Sequence, residues 1–139
     1  MEMKIMLDSG AQMPTRAHET DAGYDLYAAH NAYIRAHGGI AIDTGVHIQI
    51  PRGMYGLVAG RSGLNFKQGV ICPQGTIDSG FCGAIRVKLY NLTNDAVEIA
   101  KGDRIAQIIF HRHESPSFEV VDSLESTERG SSGFGDSGR

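Results

Sequence analysis

The sequence is poor in the features that mark several large classes of protein. It has two cysteines and no tryptophan in 139 residues. Two cysteines make no disulfide framework in a chain of this size, and Cys72 and Cys82 have no metal-ligand partners at standard spacing. We therefore predict two reduced thiols in a cytoplasmic protein.

Basic residues are also fewer than acidic ones. Thirteen Lys and Arg stand against sixteen Asp and Glu, and no block of basic residues occurs. This argues against a protein that coats duplex nucleic acid or a membrane surface. The first ten residues, MEMKIMLDSG, contain no apolar run long enough for a signal peptide or a membrane span. We expect neither nucleic acid nor membrane among the partners.

Short alternating stretches recur between turn residues, and no stretch keeps a helical period for long. AIRVKLYN, at 84–91, places Ile85, Val87 and Leu89 on one face and polar side chains on the other. Such alternation, in a chain with 18 glycines, is typical of an all-β sandwich or barrel, and we predict a β-sandwich. The predicted strands are 4–7, 46–50, 54–59, 84–91, 96–100, 105–110 and 118–122.

One short helix is predicted at 62–68, with Ser62 as a possible N-cap. A chain of this length is most economically one domain with a single core. Composition changes only at the C-terminus, where RGSSGFGDSGR is mostly Gly and Ser. Such a segment buries too little apolar surface to offset the entropy of ordering. We predict a domain over 1–125 and a mobile C-terminal segment over 126–139.

Two segments combine turn chemistry with groups suited to a phosphate. GRSGLNF, at 60–66, is either a plain strand-to-helix turn or an anion cradle, in which helix-start N–H groups, the Ser62 hydroxyl and Arg61 hold oxygens. GTIDSGFCG, at 75–83, is either a plain hairpin turn or the holder of a carboxylate, Asp78, that orients and deprotonates a water.

Two further segments carry single unusual residues. In DAGYDLYA, at 21–28, turn formation is the simpler account of the acidic residues, whereas Asp25 could also hold Mg²⁺ through water. In GDRIAQIIF, at 102–110, Gln107 is polar within an apolar run and must find a hydrogen-bond partner. His111 and His113 share a strand face, but no third ligand stands nearby, and solvated histidines are the default.

Five segments follow one another in the order DAGYDLYA, GRSGL, GTIDSGFCG, GDRIAQ and RGSSGFGDSG. Together they resemble the five ordered motifs of the trimeric deoxyuridine triphosphate pyrophosphatases (dUTPases). The resemblance implies a β jelly-roll, Mg²⁺, and hydrolysis of dUTP to dUMP and pyrophosphate. It also implies a homotrimer whose active sites are shared. The first, second and fourth motifs would come from one chain, the third from a neighbour and the fifth from the last.

The resemblance assigns a role to each matching residue. Asp78 matches the catalytic carboxylate that activates water, and Asp25 matches the carboxylate that reaches Mg²⁺ through water. The C-terminal segment matches a lid that orders on substrate. The phosphate-binding residues are Arg61, Ser62, Gly63, Gln107, Arg129, Gly135 and Ser137. The nucleoside-binding residues are Cys72, Gly75, Thr76, Ile77, Phe81, Arg86 and Phe134.

Four positions depart from the family pattern. Phe81 replaces a Tyr that stacks on deoxyribose, so the apolar ring is kept and the hydroxyl is lost. Cys82 stands where Arg is common, and Cys72 where many relatives have Asn. Asp136 replaces Ser and places a negative charge near the terminal phosphate.

Two other functions fit parts of the sequence. GFCG, at 80–83, is also similar to the dCTP deaminases of the same fold, but those need a Glu where this chain has Lys88. The second alternative is a non-enzymatic or regulatory nucleotide-binding protein of the phage type on the same scaffold.

Overall fold

The computed structural model describes residues 1–134, and within them the chain forms eleven β-strands and one helix. The predicted all-β class with one short helix is confirmed. The elements are β1 Lys4–Leu7, β2 Tyr24–Tyr27, β3 Ala32–Ile34, β4 Gly39–Asp43, β5 Val46–Gln49, β6 Met54–Ala59, α1 Ser62–Gln68, β7 Val70–Ile71, β8 Gly75–Asp78, β9 Arg86–Asn91, β10 Val97–Ile99 and β11 Arg104–Arg112.

The strands pair antiparallel in four sheets. The largest has the order β2-β11-β6-β8, and a three-stranded sheet has the order β4-β9-β7. Two pairs, β1-β5 and β10-β3, complete the set for the described part of the chain. The jelly-roll arrangement stays a prediction, because these pairings alone do not test it.

One hydrophobic core joins the sheets. Twelve of its eighteen buried apolar residues are Ile or Val, whose branched side chains pack well on a pleated surface. Strand β9 shows the expected alternation, since Val87 and Leu89 are buried while Arg86 and Lys88 are exposed. The inward face predicted from AIRVKLYN is therefore confirmed.

The helix lies where the sequence predicts it, but its first residue has a different role. Arg61 is the N-cap, in extended conformation, and no side chain caps the helix. The prediction of Ser62 as N-cap is wrong, because Ser62 already belongs to the first turn. The helix ends at Gly69, which adopts the left-handed φ of 63° that glycine tolerates best. Among the described residues, no helix is long and apolar enough to cross a membrane.

The strand predicted at 118–122 is wrong for the described chain. The last strand ends at Arg112, and residues 114–132 are exposed throughout. Phe118 is 93% exposed and Val120 99% exposed, so their alternation has no sheet to pack on. The domain boundary at residue 125 stays a prediction.

Candidate active site

Three of the sequence segments singled out above meet at one cavity. Its volume is about 230 Å³. It lies beside the start of α1 and the edge of the sheet formed by β2 and β11. The lining residues are Ala17, Asp21, Ala22, Gly23, Asp25, Arg61, Ser62 and Gln107. The structure thus brings together Asp25, Arg61, Ser62 and Gln107 from distant parts of the sequence.

Strand register explains this meeting. Gln107 of β11 lies opposite Asp25 on one side and opposite Ala59 of β6 on the other. Side chains directly opposite each other in an antiparallel pair share a face of the sheet. The chain then reaches Arg61 two residues after the end of β6. The cavity is therefore formed by side chains that lie opposite each other on β2 and β11 and by the turn that follows β6.

An ion pair crosses the cavity. Arg61 Nε lies 2.8 Å from Asp25 Oδ1, and the Asp25 side chain is only 13% exposed. Arg104 Nη1 approaches the other carboxylate oxygen at 3.7 Å. A carboxylate this buried needs positive partners, and here it has two. Sequence reasoning missed Arg104, although its place inside GDRIAQ, on the same strand as Gln107, was a usable signal.

The Gln107 amide is fixed in place. Its Nε2 donates to Gly60 O at 3.0 Å, so the expected hydrogen-bond partner is confirmed. On its other side lies Gly23, where an added Cβ would stand 2.3 Å from Gln107 Oε1. A side chain at position 23 would therefore push the Gln107 amide from its place.

The start of α1 borders the cavity with small residues. Ser62 lines it, and nothing lies within 4 Å of a Cβ placed on Gly63. The hydrogen bond from Asn65 N to Arg61 O, at 3.3 Å, is made by the fourth residue of the helix. The N–H groups of the three residues before it therefore lie ahead of the intrahelical ladder.

Asp78 does not reach this cavity in its own chain. It ends β8, where it is exposed and lies opposite Tyr55 at the far end of β6. Ala59 follows Tyr55 by four positions on β6, which at the rise of a strand is about 13 Å. The structure therefore separates the candidate base from the candidate phosphate-binding residues within one chain.

The two strand-end histidines contact Tyr55 as well. The rings of His111 and Tyr55 stack with centroids 5.3 Å apart, and the His113 ring lies 6.1 Å from Tyr55. His111 Nε2 is buried and has no hydrogen-bond partner among the described residues. In the described part of the chain, no group of three His, Cys, Asp or Glu side chains is placed to hold a metal ion.

The hairpin around β8 carries the residues predicted to bind the nucleoside. Gly75, Thr76 and Ile77 all pair with β6, and the Ile77 side chain packs against the core. The Phe81 ring is 43% exposed. It lies over Gly83, where an added Cβ would stand 2.7 Å from the ring.

Cys72 and Arg86, which are also predicted to bind the nucleoside, lie outside β8. Burial raises the pKa of the Cys72 thiol to about 11, and the thiol donates to Pro73 O at 3.4 Å. It therefore stays protonated at neutral pH. Arg86 is exposed and pairs with Asp43 at 2.9 Å, so the structure does not bring it to the cavity.

The C-terminal candidates lie away from the cavity or outside the described residues. Arg129 Nε donates to Ser132 O at 2.9 Å, and Phe134 is fully exposed with a left-handed φ of 57°. Neither lines the cavity. Gly135 and Ser137, like Asp136, lie outside the described residues.

Known proteins resemble this chain over nearly its whole length. A family model described as dUTPase matches residues 9–138. The deoxyuridine 5'-triphosphate nucleotidohydrolase of Paramecium bursaria Chlorella virus 1 is 43% identical over 136 residues, which cover 98% of this chain and 96% of the relative. The corresponding enzyme of Yarrowia lipolytica is 42% identical over 99% of this chain and 90% of its own.

Solved structures agree with this comparison. The Staphylococcus bacteriophage 80alpha dUTPase with dUpNHpp has a TM-score of 0.94 and 30% identity, and the match covers 99% of both chains. The D95N mutant dUTPase of phage phi11 of S. aureus, described with a structural Mg(II) ion, has a TM-score of 0.84 and 26% identity. That match covers 90% of this chain and 99% of the phage chain.

Proposed function

The chain belongs to the dUTPase family, and we propose that it hydrolyses dUTP to dUMP and pyrophosphate by attack of water on the α-phosphate. The cavity carries this proposal. It unites a guanidinium, a hydroxyl, an amide and a carboxylate from three distant segments, which is the set of groups that a polyphosphate and its cation require. No catalytic nucleophile of the protein is needed for this chemistry.

Arg61, Ser62, Gly63 and Gln107 are proposed to hold the phosphate oxygens. The Arg61 guanidinium offers planar paired donors that match a phosphate, but in the ligand-free chain it is engaged by Asp25 at 2.8 Å. Binding of a triphosphate would therefore exchange the partner of Arg61 from carboxylate to phosphate. Arg104, 3.7 Å from Asp25, remains to neutralise the carboxylate during the exchange.

The residues at the cavity fit a Mg²⁺ ion that arrives with the substrate. Asp25 is a single carboxylate at the cavity wall, and Mg²⁺ is usually held by one or two carboxylates plus substrate phosphates and waters. Asp25 would contact the hydrated ion through water once Arg61 turns to the phosphates. When bound, Mg²⁺ supplies positive charge that offsets the charge of the phosphate oxygens.

Asp78 is proposed as the general base that orients and deprotonates the attacking water. Because Asp78 lies about 13 Å along the sheet from the cavity of its own chain, this role requires a second copy to supply it. We propose a homotrimer in which each site takes Asp25, Arg61 and Gln107 from one chain and Asp78 from a neighbour. The C-terminal segment would come from the remaining chain.

The hairpin of residues 72–81 is proposed to bind the deoxyuridine. Main-chain groups around Gly75, Thr76 and Ile77 would read the acceptor–donor–acceptor edge of uracil. Cytosine would leave donors and acceptors unpaired, at about 1–3 kcal/mol for each buried group. Phe81 would crowd a 2′-hydroxyl, and Arg86 would approach the substrate only in the assembled protein.

The C-terminal segment is proposed to close over the bound nucleotide. Arg129 would bind the terminal phosphate, Phe134 would stack on uracil, and Gly135 and Ser137 would donate hydrogen bonds. Closure of such a segment excludes bulk water and adds positive charge at the phosphates. A cytoplasmic location also stays a prediction.

The deaminase alternative is disfavoured by the position of Lys88. It lies on the exposed face of β9, with its ammonium 5.1 Å from the centre of the Tyr90 ring. A cation there supplies no carboxylate for proton transfer.

A nucleotide panel tests the proposed function. The full chain is incubated with Mg²⁺ and each of dUTP, dCTP, dTTP and UTP, and both pyrophosphate and ammonia are measured. We expect pyrophosphate from dUTP and little from the others. Ammonia from dCTP would establish a deaminase, and binding of dUTP without any product would establish a nucleotide sensor.

A further inference from the structure

The segment that follows Asp78, residues 79–84 and here called the return leg, makes few hydrogen bonds within residues 1–134. Phe81 N donates to Asp78 O at 3.0 Å, which closes the turn. The next anchor is Ile85, whose N–H donates to the main chain of β5 at 2.9 Å. Within residues 1–134, the one side chain that hydrogen-bonds to the return leg belongs to His47.

His47 bridges the return leg to the body of the protein. It lies on β5 with 18% of its side chain exposed. Its Nδ1 lies 2.9 Å from the carbonyl oxygen of Cys82, and its Nε2 lies 3.1 Å from Asp8 Oδ1. The imidazole therefore stands between a main-chain carbonyl of the return leg and a carboxylate that follows β1.

Both partners of the ring are acceptors, so the geometry favours the doubly protonated ring. A neutral imidazole donates from one nitrogen only and would turn a lone pair toward the other acceptor. The carbonyl of Cys82 has the largest effect and raises the pKa of His47 above its ordinary value; burial opposes this, and the Asp8 carboxylate raises the pKa further. The imidazolium form serves both contacts at once.

The charged surroundings of His47 are few. A cavity of about 280 Å³ beside it is lined by Lys4 of β1 and by Cys82, together with uncharged side chains. Asp8 is the carboxylate that faces the ring, Lys4 is the cation across the cavity, and the Cys82 thiol is the titratable group on the return leg. The imidazolium therefore has one negative partner at contact distance.

We infer that His47, as imidazolium, is a positioning residue that holds the return leg in the conformation required to bind the deoxyribose and uracil of the substrate. This inference rests on the proposed dUTP hydrolysis. Cys82, the residue that His47 holds, directly follows Phe81, the proposed sugar contact. Loss of the bridge would therefore loosen the Phe81 ring first.

The two legs of the hairpin depend on His47 to different degrees. Asp78 belongs to β8, which pairs with β6 over four residues and needs no help from His47. Phe81 lies on the return leg, where His47 gives the side-chain anchor. Removal of His47 should therefore raise the KM for dUTP and lower sugar discrimination, with a small effect on kcat.

The bridge also predicts a direction for pH dependence. Because the pKa of His47 is raised above the ordinary value of 6.5, the imidazolium persists to higher pH than that of an ordinary histidine and is lost as pH rises through the raised pKa. The return leg is then held at pH values below the raised pKa and loosened above it. The KM for dUTP should rise with pH more in the parent than in a variant without the histidine.

The kinetic test uses His47→Gln and His47→Ala, with His30→Gln as the control. The exposed His30 ring hydrogen-bonds to its neighbour, at 3.0 Å from Asn31 O, and does not line the cavity. We expect His47→Ala to raise KM for dUTP about tenfold, with kcat within about twofold and partial rescue by Gln. Between about pH 6 and about pH 9, the KM of the parent should rise relative to that of His47→Gln. A parallel fall in kcat, or identical pH profiles, would overturn the inference.

An NMR titration tests the bridge without relying on catalysis. In the full chain, both His47 ring nitrogens should be protonated at pH values below the raised pKa of the ring, and the amide signals of residues 80–83 should titrate with the ring. Asp8→Asn should move this shared midpoint to lower pH, and His47→Gln should abolish it. Amides that ignore the His47 titration would overturn the inference even if dUTP is hydrolysed normally. A parent that hydrolyses no dUTP would overturn the proposed function, while these signals still decide whether the bridge exists.

Discussion

The two ends of the sheet β2-β11-β6-β8 differ in whether the candidate site residues there find partners within one chain. At one end, Asp25, Arg61 and Gln107 meet around a cavity, and each has a partner within the chain. At the other end, Asp78 is exposed at the terminus of β8, and the return leg after it is anchored mainly through His47. One chain brings together the residues proposed to bind phosphate, but the proposed base lies at the other end of the sheet.

This difference indicates which parts of the site depend on assembly. Groups that bind a highly charged phosphate are costly to bury unpaired, and here the Arg61–Asp25 pair satisfies both until a ligand arrives. Asp78 is exposed and needs no such partner in the free chain. In the proposed trimer, the separation of Asp78 from the cavity would make activity depend on oligomerisation.

Removal of the Asp78 carboxylate should have the largest effect. Asp78→Asn keeps the size of the side chain but removes the base, and we expect kcat to fall by about 1,000-fold. Affinity for a non-hydrolysable dUTP analogue should change little, because the phosphate contacts lie at the other end of the sheet. Pyrophosphate release and calorimetric titration measure the two quantities.

Asp95→Asn is the matched control for that variant. Asp95 accepts hydrogen bonds from Asn91 and Thr93 through its main-chain carbonyl, which the substitution keeps, so both activity and binding should be unchanged. Turnover by Asp78→Asn close to that of the parent would remove Asp78 from the role of base.

Mixing two inactive variants tests whether the two ends come from different chains. Arg61→Ala and Asp78→Asn chains, unfolded and refolded together, should regain about one quarter of the parent activity, because random mixing gives one site in four both intact residues. Refolding each variant alone should restore nothing.

A second mixture supplies the sharper control. Arg61 and Gln107 lie in the same cavity of one chain, so mixing Arg61→Ala with Gln107→Ala should create no site that has both residues unless the parent chain is present. Equal recovery from the two mixtures would contradict the shared site.

The sequence predicted the strands whose alternation is long and clean. β6 and the helix were predicted with the observed bounds, and β9 shows the inward face expected for it. Five strands were not predicted, namely β2, β3, β4, β7 and β8. β3 has three residues and β7 two, too few for a period to show, and β2 and β8 lie in segments for which a turn was the simpler account. Residues 118–122 alternate without a partner strand, since a sequence pattern reports apolar character and not the presence of a sheet edge.

The sequence motifs predicted which residues belong to the candidate site but not how these residues contact one another. The motifs pointed to Asp25, Arg61 and Gln107, which the structure brings together. The ion pair between Asp25 and Arg61, and the close approach of Gly23 to Gln107, depend on strand register and on a turn that no single segment encodes.

Gly23→Ala tests how closely the phosphate end is packed. The new Cβ would stand 2.3 Å from Gln107 Oε1, so the amide must leave its hydrogen bond to Gly60 O. We expect the KM for dUTP to rise about tenfold, since one positioned donor is displaced. In a Gln107→Ala background, Gly23→Ala should raise the KM for dUTP much less. A full additional rise in KM in that background would show that Gly23 acts through another contact.

The smallest effect is expected at the nucleoside end, from Phe81→Tyr. The ring would keep its place over Gly83 and gain a hydroxyl at its exposed edge, where a net hydrogen bond to the sugar is worth about 1 kcal/mol. The ratio of kcat/KM for dUTP to that for UTP should therefore change by about fivefold, with kcat on dUTP nearly constant. A fall in kcat comparable to that of Asp78→Asn would mean that the ring positions the reacting groups, and that the return leg belongs to catalysis as much as to sugar recognition.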